Sequence, residues 1–132
     1  MKIFLAGPFK EKEDEKLLEG VYNLLTNNGY KVWWSPKKVE KGYDSNDINL
    51  CNEIKKEEFG AIEDSDLLVA VMKKSTFGTS FEIQHAEDCK IPVIGYILED
   101  HPDFSSGSFK ATVKDIVKNE GELLEHVKRY KN

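Results

Sequence analysis

The run Leu67-Leu68-Val69-Ala70-Val71-Met72 constrains the fold more than any other feature of the sequence. Its residues are all apolar, and they do not alternate with polar residues as they would in a strand with one face in water. A strand of this kind is covered on both faces, which is typical of a parallel sheet between two layers of helices. The run therefore indicates an α/β protein.

Strand and helix patterns alternate through most of the remaining chain. Short apolar or alternating segments predict further strands at 3–6, 31–34, 92–98 and 111–117. Helical periodicity and capping residues predict helices beginning in the charged run 10–16, over 47–64, from the turn 75–78 to about residue 88, and after Asn119. We expect one domain over residues 1–132, a doubly wound, flavodoxin-like parallel sheet of about five strands with helices on both faces.

Ligands of such sheets bind at the carboxyl ends of the strands, near the point where the strand order reverses. The loops that follow the predicted strands are therefore the candidate ligand loops. They are 7–10, 35–44, 73–78 and 99–110.

Charge and composition exclude several classes of function. The net charge of −5 disfavours a nucleic-acid polymer as partner, because such binding needs a basic stripe, but it permits a single nucleotide. No apolar run approaches the ~20 residues that span a bilayer, and the apolar start is too short for a signal peptide, so we expect a cytoplasmic protein without a membrane partner. Cysteines and histidines are scattered without metal-binding spacing, and neither a metal nor a cofactor is predicted.

Glu82 follows Gly78-Thr79-Ser80-Phe81 at the predicted start of a helix. In a first turn, free backbone N–H groups and the helix dipole favour an anion, so we expect Glu82 to be ionised. Gly78, without a side chain, allows a ligand to approach the same turn. An ionised carboxylate beside a ligand is suited to nucleophilic attack on a sugar carbon, but acidic residues also serve merely as electrostatic caps. Position alone leaves both interpretations open.

Glu58 lies four residues after Ile54 on the apolar stripe of the helix predicted over 47–64. Burial raises the pKa of a carboxyl and suits it to acid catalysis. Two alternatives remain open: Glu57 faces inward instead, or Glu58 reaches solvent from the edge of the stripe.

Three further features are less informative. Gly7-Pro8-Phe9 follows the first strand as either a ligand loop or a tight turn. Trp33 and Trp34 are adjacent on a strand and must face opposite sides of the sheet, where we expect packing in preference to stacking on a base. His85 is expected to be a surface or packing residue.

Taken together, the motifs Ala6-Gly7-Pro8-Phe9 and Gly78-Thr79-x-x-Glu82 resemble those of the nucleoside 2-deoxyribosyltransferases and the related 2′-deoxynucleoside 5′-monophosphate N-glycosidases. The similarity covers most of the chain and includes 2–9, 65–66, 78–83, Ala86 and 90–94.

The resemblance implies that Glu82 attacks C1′ of deoxyribose, releasing the base, and that a second base or water resolves the glycosyl ester. It implies an acid or base-orienting role for Glu58. Substrate contacts are implied for Gly7, Pro8, Phe9, Thr76, Gly78, Ser106 and Ser108. It further implies a nucleoside or nucleotide and a free nucleobase as ligands, and a homodimer or higher oligomer in which a neighbour's loop, corresponding to 105–108, completes the pocket.

The sequence departs from the family pattern at three residues and one loop. Phe4 replaces a tyrosine whose hydroxyl holds the nucleophile, and Gln84 replaces a small glycine. Thr76 stands where transferases have an aspartate and monophosphate hydrolases have a serine, and a hydroxyl suits a phosphate. The first loop lacks the Gly-Gly-Arg of those hydrolases.

Three functions therefore remain open. The first is a nucleoside 2-deoxyribosyltransferase, which the two motifs favour. The second is a deoxynucleoside 5′-monophosphate N-hydrolase, which Thr76 and the serine-rich loop favour. The third is a non-catalytic nucleotide-binding domain, which the loss of the tyrosine and aspartate would permit.

Overall fold

The computed structural model describes residues 1–9, 11–38 and 46–130. Lys10 and most of the predicted ligand loop 35–44 lie outside the described residues. The strands are β1 (Lys2–Ala6), β2 (Lys31–Trp34), β3 (Leu67–Met72), β4 (Val93–Ile97) and β5 (Asp115–Val117). The helices are α1 (Lys12–Asn27), α2 (Ser35–Lys38), α3 (Ile48–Glu63), α4 (Phe77–Asp88), α5 (Gly107–Thr112) and α6 (Glu120–Arg129), with a 3₁₀ turn at Pro102–Ser105.

All five strands are parallel and pair in the order β2-β1-β3-β4-β5. The predicted flavodoxin-like sheet is therefore confirmed. The order reverses between β1 and β3, which pair in register from Ile3 with Leu67 to Ala6 with Ala70. The switch point, where ligands of this architecture bind, thus lies beyond Ala6 and Met72.

The core has two halves, one on each face of the sheet. On one face, α1 and α6 contribute Leu18, Leu25, Leu123 and Val127. On the other face, α3 and α4 contribute Ile62, Ile83 and Ala86. The central strand β3 supplies alternate residues to both halves, which explains why its sequence does not alternate in polarity.

Trp33 and Trp34 face opposite sides, as their adjacency requires. Trp34 is buried on the α1 side, where its ring lies 5.7 Å from that of Tyr22. Trp33 is half-buried on the α3 side and stacks on Phe4 at 5.0 Å. No helix of the described ranges is long and apolar enough to cross a membrane.

Two predicted elements differ from the structure. The alternating stretch 111–117 is a strand only from Asp115, because Ser106 caps α5 by accepting a hydrogen bond from the Phe109 amide and α5 extends to Thr112. The second difference is that α4 begins at Phe77, so Gly78 lies inside the helix and does not end a turn.

Candidate active site

Two glutamates from neighbouring helices meet above the α3 and α4 face of the sheet. Glu82 of α4 is buried, with 9% of its surface exposed, and Glu58 of α3 is half-buried. Glu57 is exposed, so the alternative in which it faces inward is wrong. The stripe of α3 is confirmed, since Ile54 and Ile62 are its buried residues and Glu58 lies between them.

The Glu58 and Glu82 side chains are hydrogen-bonded to each other. Glu58 also accepts a hydrogen bond from Ser35, whose Oγ lies 3.0 Å from Oε2. Ser35 is buried at the start of α2, directly after β2. A carboxyl pair of this kind shares a proton, because two adjacent buried carboxylates cannot both be ionised.

The surroundings of the pair decide where its proton lies. Burial raises the pKa of Glu82 well above its ordinary value, and the neighbouring Glu58 raises it further. Burial also raises the pKa of Glu58, although the hydrogen bonds from Ser35 and Glu82 oppose this effect. Deeper burial therefore favours the protonated form of Glu82, and the hydrogen bond from Ser35 favours the carboxylate form of Glu58.

Two predictions about Glu82 are wrong. It lies in the second turn of α4, since the helix begins at Phe77 and its first turn contains no acidic residue. The helix terminus does not favour its ionised form, because the dipole effect is confined to the first turn, whereas burial and Glu58 raise the pKa of Glu82. Its interpretation as an electrostatic helix cap fails for the same reason.

The residue directly after the first strand is at a position that only glycine can occupy. Gly7 has φ +154°, and a Cβ at this position would lie 2.9 Å from both the Val71 carbonyl oxygen and Leu18 Cδ1. The glycine therefore brings β1 close to β3 and α1. Pro8 and Phe9 follow it, half-buried, at the switch point.

The start of α4 leaves polar groups available. Thr76 is the N-cap, but its side chain makes no capping hydrogen bond. Gly78 would have open space around an added Cβ. Free backbone amides of a helix start, an unengaged hydroxyl and an open glycine are together suited to an anionic or hydroxyl-bearing ligand.

Ser106 and Ser108 lie beside the part of α4 that carries Ser80 and Gln84. They line a cavity of about 360 Å³ together with Ser75, Ser80 and Gln84. Among the described residues that line it, neither Glu58 nor Glu82 is found. Within one chain, these serines and the carboxyl pair are therefore separate.

Two positions near the pair are occupied by packing residues. Phe4 is buried and stacks on Trp33. It replaces the tyrosine of the family pattern, and Glu82 has the Glu58 carboxyl as its hydrogen-bond partner in place of the tyrosine hydroxyl. His85 stacks on Phe59 at 4.2 Å, which is a packing contact of the expected kind. The sequence patterns did not single out Ser35, which is buried beside the pair. A serine directly after a predicted strand, where ligand loops of this sheet begin, is the signal that could have identified it.

Residues 3–122 match the sequence profile of the nucleoside 2-deoxyribosyltransferases. The chain belongs to this family. No curated protein matches the sequence significantly.

Solved structures share the fold of this nucleoside 2-deoxyribosyltransferase family member. A 2-deoxyribosyltransferase from Bacillus psychrosaccharolyticus superimposes with a TM-score of 0.77 at 16% identity, over 93% of this chain and 90% of that one. A conserved protein from Enterococcus faecalis V583 gives 0.72 at 20% identity, over 98% of each chain. A CMP N-glycosidase from Clostridium botulinum gives 0.63 at 19% identity, over 98% of this chain and all of that one.

The family assignment identifies an enzyme of the nucleoside deoxyribosyltransferase type, and the solved structures show the same fold.

Proposed function

We propose that this enzyme transfers deoxyribose from a 2′-deoxynucleoside to another nucleobase through a covalent ester on Glu82. The hydrogen-bonded pair of Glu82 and Glu58 on the α3 and α4 face of the sheet carries the proposal. Such a pair supplies both groups that a double displacement at C1′ needs, a nucleophilic carboxylate and an acid for the leaving base.

One proton serves both roles in the proposed reaction. It moves from Glu82 to Glu58 along their hydrogen bond, which leaves Glu82 as the carboxylate. Glu82 then attacks C1′, the bond from C1′ to the base nitrogen breaks, and its electron pair takes the proton from Glu58. In the second half, the incoming base attacks C1′, Glu82 leaves as a carboxylate, and Glu58 accepts the proton of the new base.

The resting pair has to open for substrate to bind. In retaining glycosidases the two carboxyls stand about 5–5.5 Å apart, which leaves room for the glycosidic bond, whereas hydrogen-bonded carboxyls leave none. When Glu58 separates from Glu82, it keeps the hydrogen bond that it accepts from Ser35. Substrate binding thereby replaces the hydrogen bond between the two carboxyls with contacts to the sugar and base.

Thr76 favours a second candidate function, hydrolysis of 2′-deoxynucleoside 5′-monophosphates. Its hydroxyl is free of any capping bond at the start of α4, where backbone amides also favour an anion. A neighbour in the same fold is a CMP N-glycosidase. In this alternative, water resolves the ester on Glu82.

The two functions are separated by one chromatographic assay. The enzyme is incubated with deoxyinosine or deoxyadenosine, with and without free adenine or cytosine, and in parallel with the 5′-monophosphates. Base exchange that requires the acceptor base supports the transferase, and base release from monophosphates alone supports the hydrolase. Absence of turnover with all of them would contradict both.

We also propose that the enzyme works as a homodimer or higher oligomer. Phe77 and Phe81 are 84% and 55% exposed on α4, with ring centroids 6.2 Å apart. The Lys55 ammonium lies 5.5 Å from the Phe81 ring centroid. Exposed aromatic pairs beside a catalytic helix are typical of surfaces that a partner covers, and a second copy would bring its serine-rich loop to the neighbouring site.

A further inference from the structure

A second group of chemically reactive side chains connects α3 and α4, outside the carboxyl pair. Glu63 is the last residue of α3, while His85 and Cys89 are one turn apart at the end of α4. The group lies on the same two helices as the carboxyl pair, closer to their C-terminal ends than Glu58 and Glu82. The proposed function uses none of its members.

Two of these side chains converge on one ring nitrogen. His85 Nε2 lies 2.8 Å from Glu63 Oε2 and 3.7 Å from Cys89 Sγ. The ligand atoms of all three residues lie within 4.8 Å of one another. A ring nitrogen has either one proton or one lone pair, so it bonds only one of these neighbours well. A cation between the three atoms would bond all of them.

We propose that Glu63, His85 and Cys89 bind a divalent transition metal of the zinc class, with water at the fourth position. Imidazole, thiolate and carboxylate are the ligands that such ions prefer in proteins. Tetrahedral zinc places neighbouring nitrogen and sulfur ligands about 3.5 Å apart, given its usual bond lengths. The observed 3.7 Å between Nε2 and Sγ fits this requirement.

Small movements complete the site. The carboxylate oxygen has to move roughly 0.5 Å away from Nε2 to reach tetrahedral spacing, which a long exposed side chain at a helix end permits. The imidazole itself is fixed, because its ring stacks on Phe59 at 4.2 Å. A central ligand that is already fixed lowers the entropy lost on binding, because only the other two side chains have to be ordered.

Metal binding displaces one proton from the Cys89 thiol to solvent, and the metal–sulfur bond replaces the S–H bond. The ion would then cross-link the ends of α3 and α4, the helices that carry the carboxyl pair. Bound metal is therefore expected to raise the thermal stability of the folded chain.

Cobalt(II) alone is the probe, because thiolate coordination gives it a near-ultraviolet charge-transfer band and visible bands typical of a tetrahedral site. We expect both in the wild-type enzyme, with one ion bound per chain, and a higher melting temperature when zinc is added. Cys51→Ser, which removes the other thiol, serves as the matched control and should behave as the wild type does.

Cys89→Ser should abolish the charge-transfer band, and His85→Asn and Glu63→Gln should each weaken cobalt binding at least about tenfold, since even residues that only orient a ligand contribute that much. Circular dichroism confirms that each variant is folded. The proposal is overturned if the wild type lacks the charge-transfer band, or if Cys51→Ser removes it and Cys89→Ser does not.

Discussion

At the scale of single residues, the hydrogen bond between Glu58 and Glu82 decides how both carboxyls ionise. Ser35 donates to Glu58 alone, and Glu82 is the more deeply buried partner, so the two glutamates are chemically unequal. In the proposed mechanism the shared proton passes from Glu82 to Glu58, so that Glu58 acts as the acid and Glu82 becomes the nucleophile.

The raised pKa of Glu82 makes stability depend on pH. Below pH 4.5, the ordinary pKa of this carboxyl, Glu82 is protonated in both the folded and the unfolded chain, and its contribution to the stability of the fold is fully present. As pH rises from there through the folded pKa, the unfolded chain has already lost the proton, so the folded state loses stability relative to it. We expect the wild type to become less stable than Glu82→Gln as pH rises toward neutrality.

Urea unfolding of both proteins across this pH range measures the difference. Glu99→Gln makes the same chemical change at an exposed residue outside the pair and is the control. A difference between wild type and Glu82→Gln that stays constant with pH would contradict the assigned burial and pairing.

The ionisation of Glu82 was not predictable from sequence. Local position suggested a helix start, where an anion is favoured, but the decisive contact comes from Glu58 on another helix. Glu58 itself was predictable, because its place on the apolar stripe of α3 is a local pattern. Pairing between side chains of two helices depends on their packing, which no local pattern contains.

At the scale of elements, the strands and most helices followed from periodicity and capping residues. Asp47, Asn119 and the turn at Asn28-Gly29 bound their helices as predicted. The start of α4 was misplaced because Gly78 is a common turn residue, yet here it is helical and exposed.

Two N-caps with different contacts provide a test at this scale. Asp47 accepts a hydrogen bond from the Leu50 amide at 3.0 Å, so Asp47→Ala should lower the free energy of unfolding by about 1 kcal/mol. Thr76 makes no such bond, and Thr76→Ala should change stability by less than about 0.5 kcal/mol.

If Thr76 binds phosphate, Thr76→Ala should instead raise KM for the 5′-monophosphate and leave KM for the nucleoside unchanged. Denaturant unfolding and steady-state kinetics on the same preparations check both expectations. A large loss of stability in Thr76→Ala would assign this residue a structural role.

The junction of β1 with β3 and α1 depends on Gly7. Gly7→Ala combines an unfavourable φ with contacts to Val71 and Leu18, and we expect it to lower the free energy of unfolding by about 1–3 kcal/mol. Gly20→Ala, inside α1 with open space around the new methyl group, should stabilise by about 0.5–1 kcal/mol. Equal effects in urea unfolding would contradict the close approach at Gly7.

At the scale of the whole molecule, the serine-rich cavity is separate from Glu82 within one chain, and the proposed oligomer would bring the serine-rich loop of one copy to the carboxyl pair of another. Phe77→Ser should shift the enzyme toward monomer in size-exclusion chromatography with light scattering, because it removes the most exposed aromatic ring of α4. Leu17→Ser changes an exposed apolar residue of α1, on the other face of the sheet, and should leave the assembly intact. A wild type that is monomeric at micromolar concentration would contradict the proposed oligomer.

The central claim is that Glu82 carries the deoxyribosyl group between two bases. Rapid quenching with a deoxynucleoside in the absence of an acceptor base, followed by mass spectrometry of the intact chain and its peptides, tests it directly. We expect a mass increase of one deoxyribosyl unit on the peptide that contains Glu82, no increase in Glu82→Gln, and a fall in turnover of roughly a thousandfold or more in that variant. Full turnover by Glu82→Gln, or the sugar attached to another residue, would contradict the account.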